Sequence, residues 1–209
     1  MDEALLRDQM VALARSLFER GFSVGSAGNI SARTADGGYL ITPTNSSLGR
    51  LAAGRLSKLD SAFRPVSGDP PSKEVVMHRA FYEGRPEAGA VVHLHSTMAT
   101  AIACLAEADA NQPIAALTPY FFMRIGARLP VIPYFRPGDP AMEAAICAEA
   151  PTARAVLLSN HGPVVSAATL VDAVNAAEEL EEAAKLALLL AGKPVRTLTP
   201  DQVAALLPH

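Results

Sequence analysis

The chain has 209 residues, half of them hydrophobic, and its 18 basic and 21 acidic side chains give a net charge of -3. This balance leaves no basic surface for nucleic acid or an anionic membrane, and no apolar run reaches the roughly 18 residues of a membrane span. We expect one domain over residues 1–209, because a chain of this length buries enough apolar surface without disulfides or a structural metal.

Two further features favour a cytoplasmic location. The first residues, MDEALLRDQM, carry acids where a signal peptide would carry bases. Cys104 and Cys147 lie in alanine-rich segments, which is typical of small buried thiols rather than of a disulfide or a metal site.

The N-terminal third predicts one helix and two short strands. Apolar residues repeat at helical spacing from Leu5 to Leu17, and Gly21 follows as a stop signal. The segment SVGSAGNISART leads from small residues into an alternating stretch, and GYLITPTNSS indicates a short strand that ends at Pro43. Loops rich in Gly, Ser, Thr and Asn lie beside both strands.

The middle of the chain predicts a helix, a buried strand and a second helix. Ser72 is a good N-cap after the proline-rich approach SGDPP. Ser72, Lys73 and Glu74 would then form the cap and first turn of a helix that ends at Gly84. GAVVHLHS indicates a buried strand, and TMATAIACLA a buried helix.

The C-terminal third predicts a second buried strand and the longest helix. ARAVLLSNHGPVV is interpreted as a strand broken by Gly162 and Pro163. Thr169 and Asp172 form a capping box ahead of an apolar stripe that continues to Gly192. Four acids of this helix are interpreted as a solvated face: Glu178, Glu179, Glu181 and Glu182.

The order of these elements predicts an α/β fold. Strands and helices intermix without regular β-α-β alternation. A central mixed or antiparallel sheet flanked by helices is therefore the simplest architecture.

His93 and His95 end the apolar run VVHLHS. Side chains at i and i+2 of a strand share a face, so the two imidazoles can bind one ion, although His-x-His alone more often marks histidines hydrogen-bonded to backbone or water. His161 also follows an apolar strand, and three histidines with open positions are typical of a catalytic zinc site. His78 in mid-helix and His209 at the terminus lack this context, and we interpret both as non-ligands.

Glu74 is the best acid/base candidate. It lies at the start of a helix whose Ser72 cap and free N–H groups can hold phosphate, although an acid in a first turn also needs no function. Three donor-rich loops could cradle a phosphate, with Lys73 adding a fixed positive charge, but each could equally be a plain turn. Besides Ser72 and Lys73, these loops contain Gly25, Gly28, Asn29, Thr44 and Asn45.

Taken in order, GNIS, ITPTN, PSKE, HLH and NHG resemble the class II aldolase/adducin family across nearly the whole chain. The family includes metal-dependent sugar-phosphate aldolases and epimerases, and the ordered set is more specific than any single motif. The resemblance implies a three-layer α/β/α fold around a central mixed, largely antiparallel sheet. It also implies a homotetramer with active sites between subunits.

The resemblance further implies roles for particular residues. His93, His95 and His161 would bind Zn²⁺, with Mn²⁺ or Co²⁺ as alternatives, and Glu74 would be the acid/base that also touches the metal when substrate is absent. Tyr120, in LTPYFFM, is similar to a tyrosine that reaches a neighbouring subunit's site, although a tyrosine packed in an interface explains it equally well. The phosphate pocket would be lined by Gly28, Asn29, Thr44, Asn45, Ser72 and Lys73.

Two positions depart from the sugar-phosphate aldolases, which typically have Gly at Asn45 and Ser at Lys73. Longer matches such as SGDPPSKE, VVHLHST and TPYFFMR resemble a branch that decarboxylates a phosphorylated four-carbon 3-oxo acid. In this acid the carboxylate is beta to a ketone. A metal bound to the ketone oxygen can therefore stabilise the enediolate that forms when carbon dioxide departs. Lys73, Arg124 and Arg136 are candidates to hold the carboxylate, although ordinary salt bridges explain the two arginines better.

Three functions stay open at this point. The first is decarboxylation of a small phosphorylated sugar acid, and the second is a class II aldolase or epimerase activity on a sugar phosphate such as fuculose 1-phosphate. The third is a catalytically inert scaffold like the adducin head domain, which the presence of all three histidines and Glu74 disfavours. No nucleic-acid or membrane partner is expected.

Overall fold

The computed structural model describes residues 2–106, 109–136 and 139–207. Seven α-helices, eight strands and two short 3-10 helices, Leu48–Arg50 and Ala53–Arg55, lie in these ranges. The helices are α1 (Glu3–Glu19), α2 (Val75–Gly84), α3 (Thr97–Ala103), α4 (Pro119–Arg124), α5 (Pro140–Glu149), α6 (Leu170–Leu190) and α7 (Pro200–Ala204). The strands are β1 (Asn29–Arg33), β2 (Tyr39–Ile41), β3 (Ser57–Leu59), β4 (Pro65–Ser67), β5 (Ala90–His93), β6 (Val131–Ile132), β7 (Ala155–Leu158) and β8 (Gly162–Ala167).

The eight strands form one sheet in the order β4-β3-β2-β1-β5-β8-β7-β6. Strands β1 to β4 follow one another as a meander, and β5 lies between β1 and β8. Every neighbouring pair is antiparallel except β6 and β7, which run parallel. The predicted mixed, largely antiparallel sheet is confirmed.

Helices cover both faces of the sheet. One apolar core joins α2 and α5, through Phe81 and Ile146, to a face that includes Val91. The other core joins α1, α3, α4 and α6, the last through the fully buried Leu180, to the face that includes Val92. Successive β5 residues thus contribute to opposite layers, as the alternation of a strand requires. The predicted three-layer α/β/α architecture is confirmed.

The first and longest helices follow their sequence patterns. α1 buries residues at helical spacing from Leu6 to Leu17 and ends two residues before Gly21. At the start of α6, the Thr169 hydroxyl accepts a hydrogen bond from Asp172 N at 3.1 Å, so Thr169 is the N-cap as predicted. The predicted capping box is incomplete, because the Asp172 carboxylate accepts from the Thr169 hydroxyl at 2.7 Å and not from the Thr169 backbone N–H. Within the described residues, none of the helices has the length and apolar character needed to cross a membrane.

The prediction that Ser72 caps α2 is wrong. The helix begins at Val75 with Glu74 at its N-cap position. Ser72 instead begins a turn, in which its hydroxyl accepts from Glu74 N at 3.2 Å and its carbonyl accepts from Val75 N at 3.2 Å. The reason is a long-range contact: Ser72 N donates to the carbonyl oxygen of Thr42, directly after β2, which holds the segment before α2 against the sheet.

The segment predicted as one broken strand is an antiparallel hairpin of β7 and β8. The break falls at residues 159–161, and Gly162 and Pro163 belong to β8. Asn160 reverses the chain with φ 58°, a left-handed conformation that Asn adopts more readily than most residues. This turn carries His161 to the end of the sheet.

The predicted solvated face of α6 is wrong for three of its four glutamates. Glu178 pairs with Arg20 at 2.8 Å, and Glu181 accepts from two backbone N–H groups in the first turn of α3, each at 2.8 Å. Glu179 is also half-buried, whereas Glu182 is exposed. The packing of α6 against the beginning of α3 and the end of α1 gives these acids partners that a single helix does not reveal.

Both cysteines are free, as predicted, but neither is fully buried. Cys104 is exposed because α3 ends at Ala103 and leaves the thiol just beyond the helix. Cys147 lies half-buried on α5.

We expect Gly89→Ala to lower the free energy of unfolding by about 1–3 kcal/mol, measured by chemical denaturation. Gly89 directly precedes β5, and a Cβ there would lie 2.1 Å from the carbonyl oxygen of Ala168. Because this neighbour is backbone, the clash cannot be relieved by a rotamer change. Gly54→Ala is the matched control, since a Cβ at Gly54 meets nothing within 4 Å. Equal stability of the two variants would contradict the expectation.

Candidate metal centre and active site

Three strand ends meet at one end of the sheet. β1 and β8 both run antiparallel to β5, so the starts of β1 and β8 lie beside the end of β5. Asn29 is the register partner of His93 on one side, and Val164 is its partner on the other. His95 follows β5 by two residues, and the turn before β8 contributes His161. The topology therefore gathers side chains that are distant in sequence.

The three predicted histidine ligands converge at these strand ends. His93 Nε2 and His95 Nε2 are 3.1 Å apart. The ring centroid of His161 lies 4.8 Å from that of His93 and 4.7 Å from that of His95. One potential ligand nitrogen from each ring falls within 4.8 Å of the others.

Hydrogen bonding and burial prepare these rings to act as ligands. His93 Nδ1 donates to the carbonyl oxygen of Pro163 at 2.9 Å, which leaves Nε2 as the unprotonated nitrogen of the neutral ring. Burial holds the pKa of His93 well below its ordinary value, and the neighbouring His161 and His95 lower it further. Burial also lowers the pKa values of His95 and His161. Neutral imidazole is the form that binds metals.

The donor set fits a divalent cation. Three neutral imidazoles, one of them oriented by a backbone carbonyl, match a nitrogen site that keeps positions open for substrate oxygens. The approach of two ring nitrogens, His93 Nε2 and His95 Nε2, is an arrangement that a shared cation would stabilise.

Glu74 approaches the histidine cluster from the start of α2. Its side chain is 16% exposed, with Oε1 3.4 Å from His161 Nε2 and Oε2 3.7 Å from His93 Nε2. Asn29 Nδ2 donates to Oε2 at 2.7 Å. The carboxylate is therefore held where it could exchange a proton with a group bound beside the histidines.

The residues predicted for the phosphate pocket line one cavity, and Glu74 and His95 form part of its wall. Its volume is about 210 Å³. Gly28 has φ 80°, and a Cβ there would lie 2.9 Å from the carbonyl oxygen of His93, so this close approach requires glycine. Asn45 has φ 56°, a conformation that suits both Asn and Gly. The six residues are Gly28, Asn29, Thr44, Asn45, Ser72 and Lys73.

Other predicted residues lie elsewhere in the chain. Tyr120 is on α4 and is 60% exposed. Arg124, at the end of α4, lines a different cavity, and Arg136 is exposed between β6 and α5. Of the three candidates to hold the substrate carboxylate, Lys73 lines the cavity beside His95 and the two arginines do not. His209 lies outside the described residues.

The sequence interpretation missed the side chains that support Asn29. His78 is not part of the three-histidine cluster, and its fully buried ring lies 2.5 Å from Asn29 Oδ1 and 2.7 Å from Ser31 Oγ. Tyr82 extends this set through its hydroxyl, 2.8 Å from Ser31 Oγ. The spacing of these residues was the sequence signal for this contact: His78 and Tyr82 follow the N-cap Glu74 at intervals of four residues along α2, and Asn29 and Ser31 are two apart on β1.

The chain belongs to the class II aldolase and adducin family, because residues 8–188 match the domain described as Class II Aldolase and Adducin N-terminal domain. A 3-oxo-tetronate 4-phosphate decarboxylase from Haemophilus influenzae is 49% identical over 203 residues, covering 97% of this chain and 96% of that protein. An L-fuculose phosphate aldolase from Escherichia coli is 32% identical over 209 residues, covering 99% and 94%. The crystal structure of YgbL from Klebsiella pneumoniae has a TM-score of 0.96 at 48% identity and covers 99% of both chains. The predicted family and the lyase class are confirmed.

We expect His161→Ala to lose bound metal, because it removes one of three nitrogen ligands. The measurement is the metal-to-protein ratio by atomic emission after loading with Zn²⁺ and dialysis. Glu74→Gln is the comparison and should keep its metal, since the three imidazoles remain. A full complement of metal in His161→Ala would contradict the ligand assignment.

Proposed function

We propose that this protein is a metal-dependent 3-oxo-tetronate 4-phosphate decarboxylase that forms dihydroxyacetone phosphate and carbon dioxide. The observation that carries the proposal is the 49% identity, over 97% of the chain, to a relative of that name. The imidazole cluster, the half-buried carboxylate of Glu74 and the donor-lined cavity support it. Aldol cleavage of a sugar phosphate is a candidate because an L-fuculose phosphate aldolase is also similar to this chain. It ranks second because that identity is 32%.

The reaction breaks the bond between the substrate's carboxylate carbon and the neighbouring hydroxyl-bearing carbon. The electron pair stays on that carbon, delocalised onto the adjacent ketone, and a proton then adds there. When bound by His93, His95 and His161, a divalent cation, which we propose to be Zn²⁺ with Mn²⁺ and Co²⁺ as alternatives, would polarise the ketone oxygen and stabilise the developing charge.

Glu74 supplies the proton chemistry in this proposal. Its Oε2 accepts the hydrogen bond from Asn29, so Oε1 is the atom that would hold the proton. Oε1 lies 3.4 Å from His161 Nε2, at the edge of the cluster where the substrate ketone would bind. From there it would pass the proton to the carbon that has lost carbon dioxide. The low exposure of the carboxylate limits competition by solvent.

The substrate phosphate would bind in the cavity beside His95. The loops there contribute hydroxyl groups from Thr44 and Ser72 and small residues such as Gly28, which let a phosphate approach backbone N–H groups. The substrate carries a second anion, its carboxylate. Lys73 is the residue we assign to it, because Lys73 is a cationic residue that lines the same cavity.

We infer a homotetramer with active sites between subunits and a cytoplasmic location. Tyr120 supports the assembly, because its ring and the neighbouring Met123 side chain are exposed on α4 and available to another subunit. In such an assembly Tyr120 would reach a neighbouring site. The free state of Cys104 and Cys147 supports a reducing compartment.

We expect the metal-loaded protein to release carbon dioxide from 3-oxo-tetronate 4-phosphate and to form one dihydroxyacetone phosphate for each carbon dioxide. Both products are measured by coupled enzymatic assay, with chelator-treated protein as the control. Fuculose 1-phosphate serves as the competing substrate. Aldehyde release from fuculose 1-phosphate, with no carbon dioxide from the acid phosphate, would contradict the proposal and favour the aldolase.

We expect Glu74→Gln to lower kcat by about 10²–10⁴-fold, because the amide cannot carry the proton of an acid/base group. Initial rates with metal-saturated protein measure this effect. Glu83→Gln is the matched control: the same change at the other end of α2, at a residue whose side chain is 58% exposed. Wild-type turnover in Glu74→Gln would remove Glu74 from the mechanism.

A further inference from the structure

A buried column of hydrogen-bonded side chains joins α2 to β1 beside the histidine cluster. Four helical residues rise about 6 Å and two strand residues about 6.6 Å, so side chains from the two elements can interleave at nearly the same repeat. The four links measure 2.7, 2.5, 2.7 and 2.8 Å. The members of this α2–β1 column, in order, are Glu74, Asn29, His78, Ser31 and Tyr82.

The chemistry of Glu74 sets the direction of every hydrogen bond in the column. Glu74 Oε2 only accepts, both in the ionised carboxylate and when the proton is on Oε1, so Asn29 must turn Nδ2 towards Glu74 and Oδ1 towards His78. Because Oδ1 also only accepts, His78 Nε2 must carry the ring proton. The unprotonated Nδ1 then accepts from the Ser31 hydroxyl, whose oxygen in turn accepts from the hydroxyl of Tyr82.

Burial keeps His78 and Tyr82 in the protonation states that these hydrogen bonds require. It lowers the pKa of His78 to about 3 and raises the pKa of Tyr82, so the imidazole stays neutral and the phenol keeps its proton. Arg33 holds Tyr82 in place: its guanidinium donates to the Tyr82 carbonyl oxygen at 3.2 Å and lies 4.9 Å from the centre of the ring. The column thus has one arrangement that satisfies all its members.

We propose that His78 is a positioning residue, which acts through its Nε2–H tautomer to hold the Asn29 amide in the orientation that donates to Glu74 Oε2. Oε1 is then left directed at the histidine cluster. Without the donor on His78, the amide can turn over and present its oxygen to the carboxylate, which repels Glu74 from its place. The inference rests on the proposed acid/base role of Glu74.

The tautomer of His78 tests the proposal without any reaction. In protein labelled with ¹⁵N at the histidine rings and freed of metal with a chelator, we expect His78 to show a protonated Nε2 and an unprotonated Nδ1. The His78→Gln variant assigns these NMR signals by their loss. A protonated Nδ1 on His78 in the wild-type protein would overturn the proposal, whatever the substrate of the enzyme.

Kinetics separate positioning from simple packing. We expect His78→Leu to lower kcat about 10–100-fold, with KM and metal content little changed. His78→Gln retains an N–H donor near the position of Nε2 and should recover most of this loss. Met77→Leu is the matched control, because Met77 is equally buried on α2 but lies outside the column. Equal losses of kcat in His78→Leu and His78→Gln would overturn the proposal.

A double variant tests whether His78 acts through Asn29. In an Asn29→Ala background, His78→Leu should change kcat by no more than about twofold, since the amide that it orients is gone. If His78→Leu lowers kcat in this background by the same factor as in the wild-type protein, His78 acts by another route and the proposal is overturned. If the wild-type protein releases no carbon dioxide from 3-oxo-tetronate 4-phosphate, the proposed function fails, while the tautomer measurement still decides the role of His78 in the column.

Discussion

The site depends on one constraint, the antiparallel pairing of β5 with β1 on one side and with β8 on the other. This pairing places Asn29 opposite His93 and brings the turn with His161 to the same end of the sheet. A slip of one residue in β5 would turn His93 to the opposite face, away from α2 and Glu74. The register of three strands therefore controls whether the cluster exists, and the apolar residues on both faces of β5 fix that register.

Features with a local cause could be predicted from the sequence. The helical repeat of apolar residues predicted α1 and α6, and the sequence also predicted Thr169 as the N-cap of α6. The histidine cluster could be predicted because each histidine follows an apolar strand and strand ends gather in sheets. The start of α2 could not, since Ser72 is tied to Thr42 by a contact between segments that are remote in the chain. The partners of the α6 glutamates were hidden for the same reason.

The same difference between local and long-range causes applies to the candidate site. Motif order singled out the residues that line the cavity, from Gly28 to Lys73, but only the fold shows that they share one space with His95 and Glu74. A histidine in mid-helix such as His78 gives the same pattern whether it packs or hydrogen-bonds. Its partner Ser31 lies 47 residues earlier, on another element. Tyr120 is exposed on α4, so the fold of one chain gives it no partner that would reveal its role.

The two halves of the site differ in how they are held. His93 is oriented by the carbonyl oxygen of Pro163, a backbone atom that also accepts from Leu94 N and that any residue at position 163 would supply. Glu74 is oriented through the side chain of Asn29 and those behind it, each of which a single codon change can remove. The orientation of the proposed metal ligand His93 thus does not depend on the identity of a partner side chain, whereas that of the proposed acid/base Glu74 does. A substitution behind Asn29 would therefore alter the proposed proton chemistry and leave the histidine cluster in place.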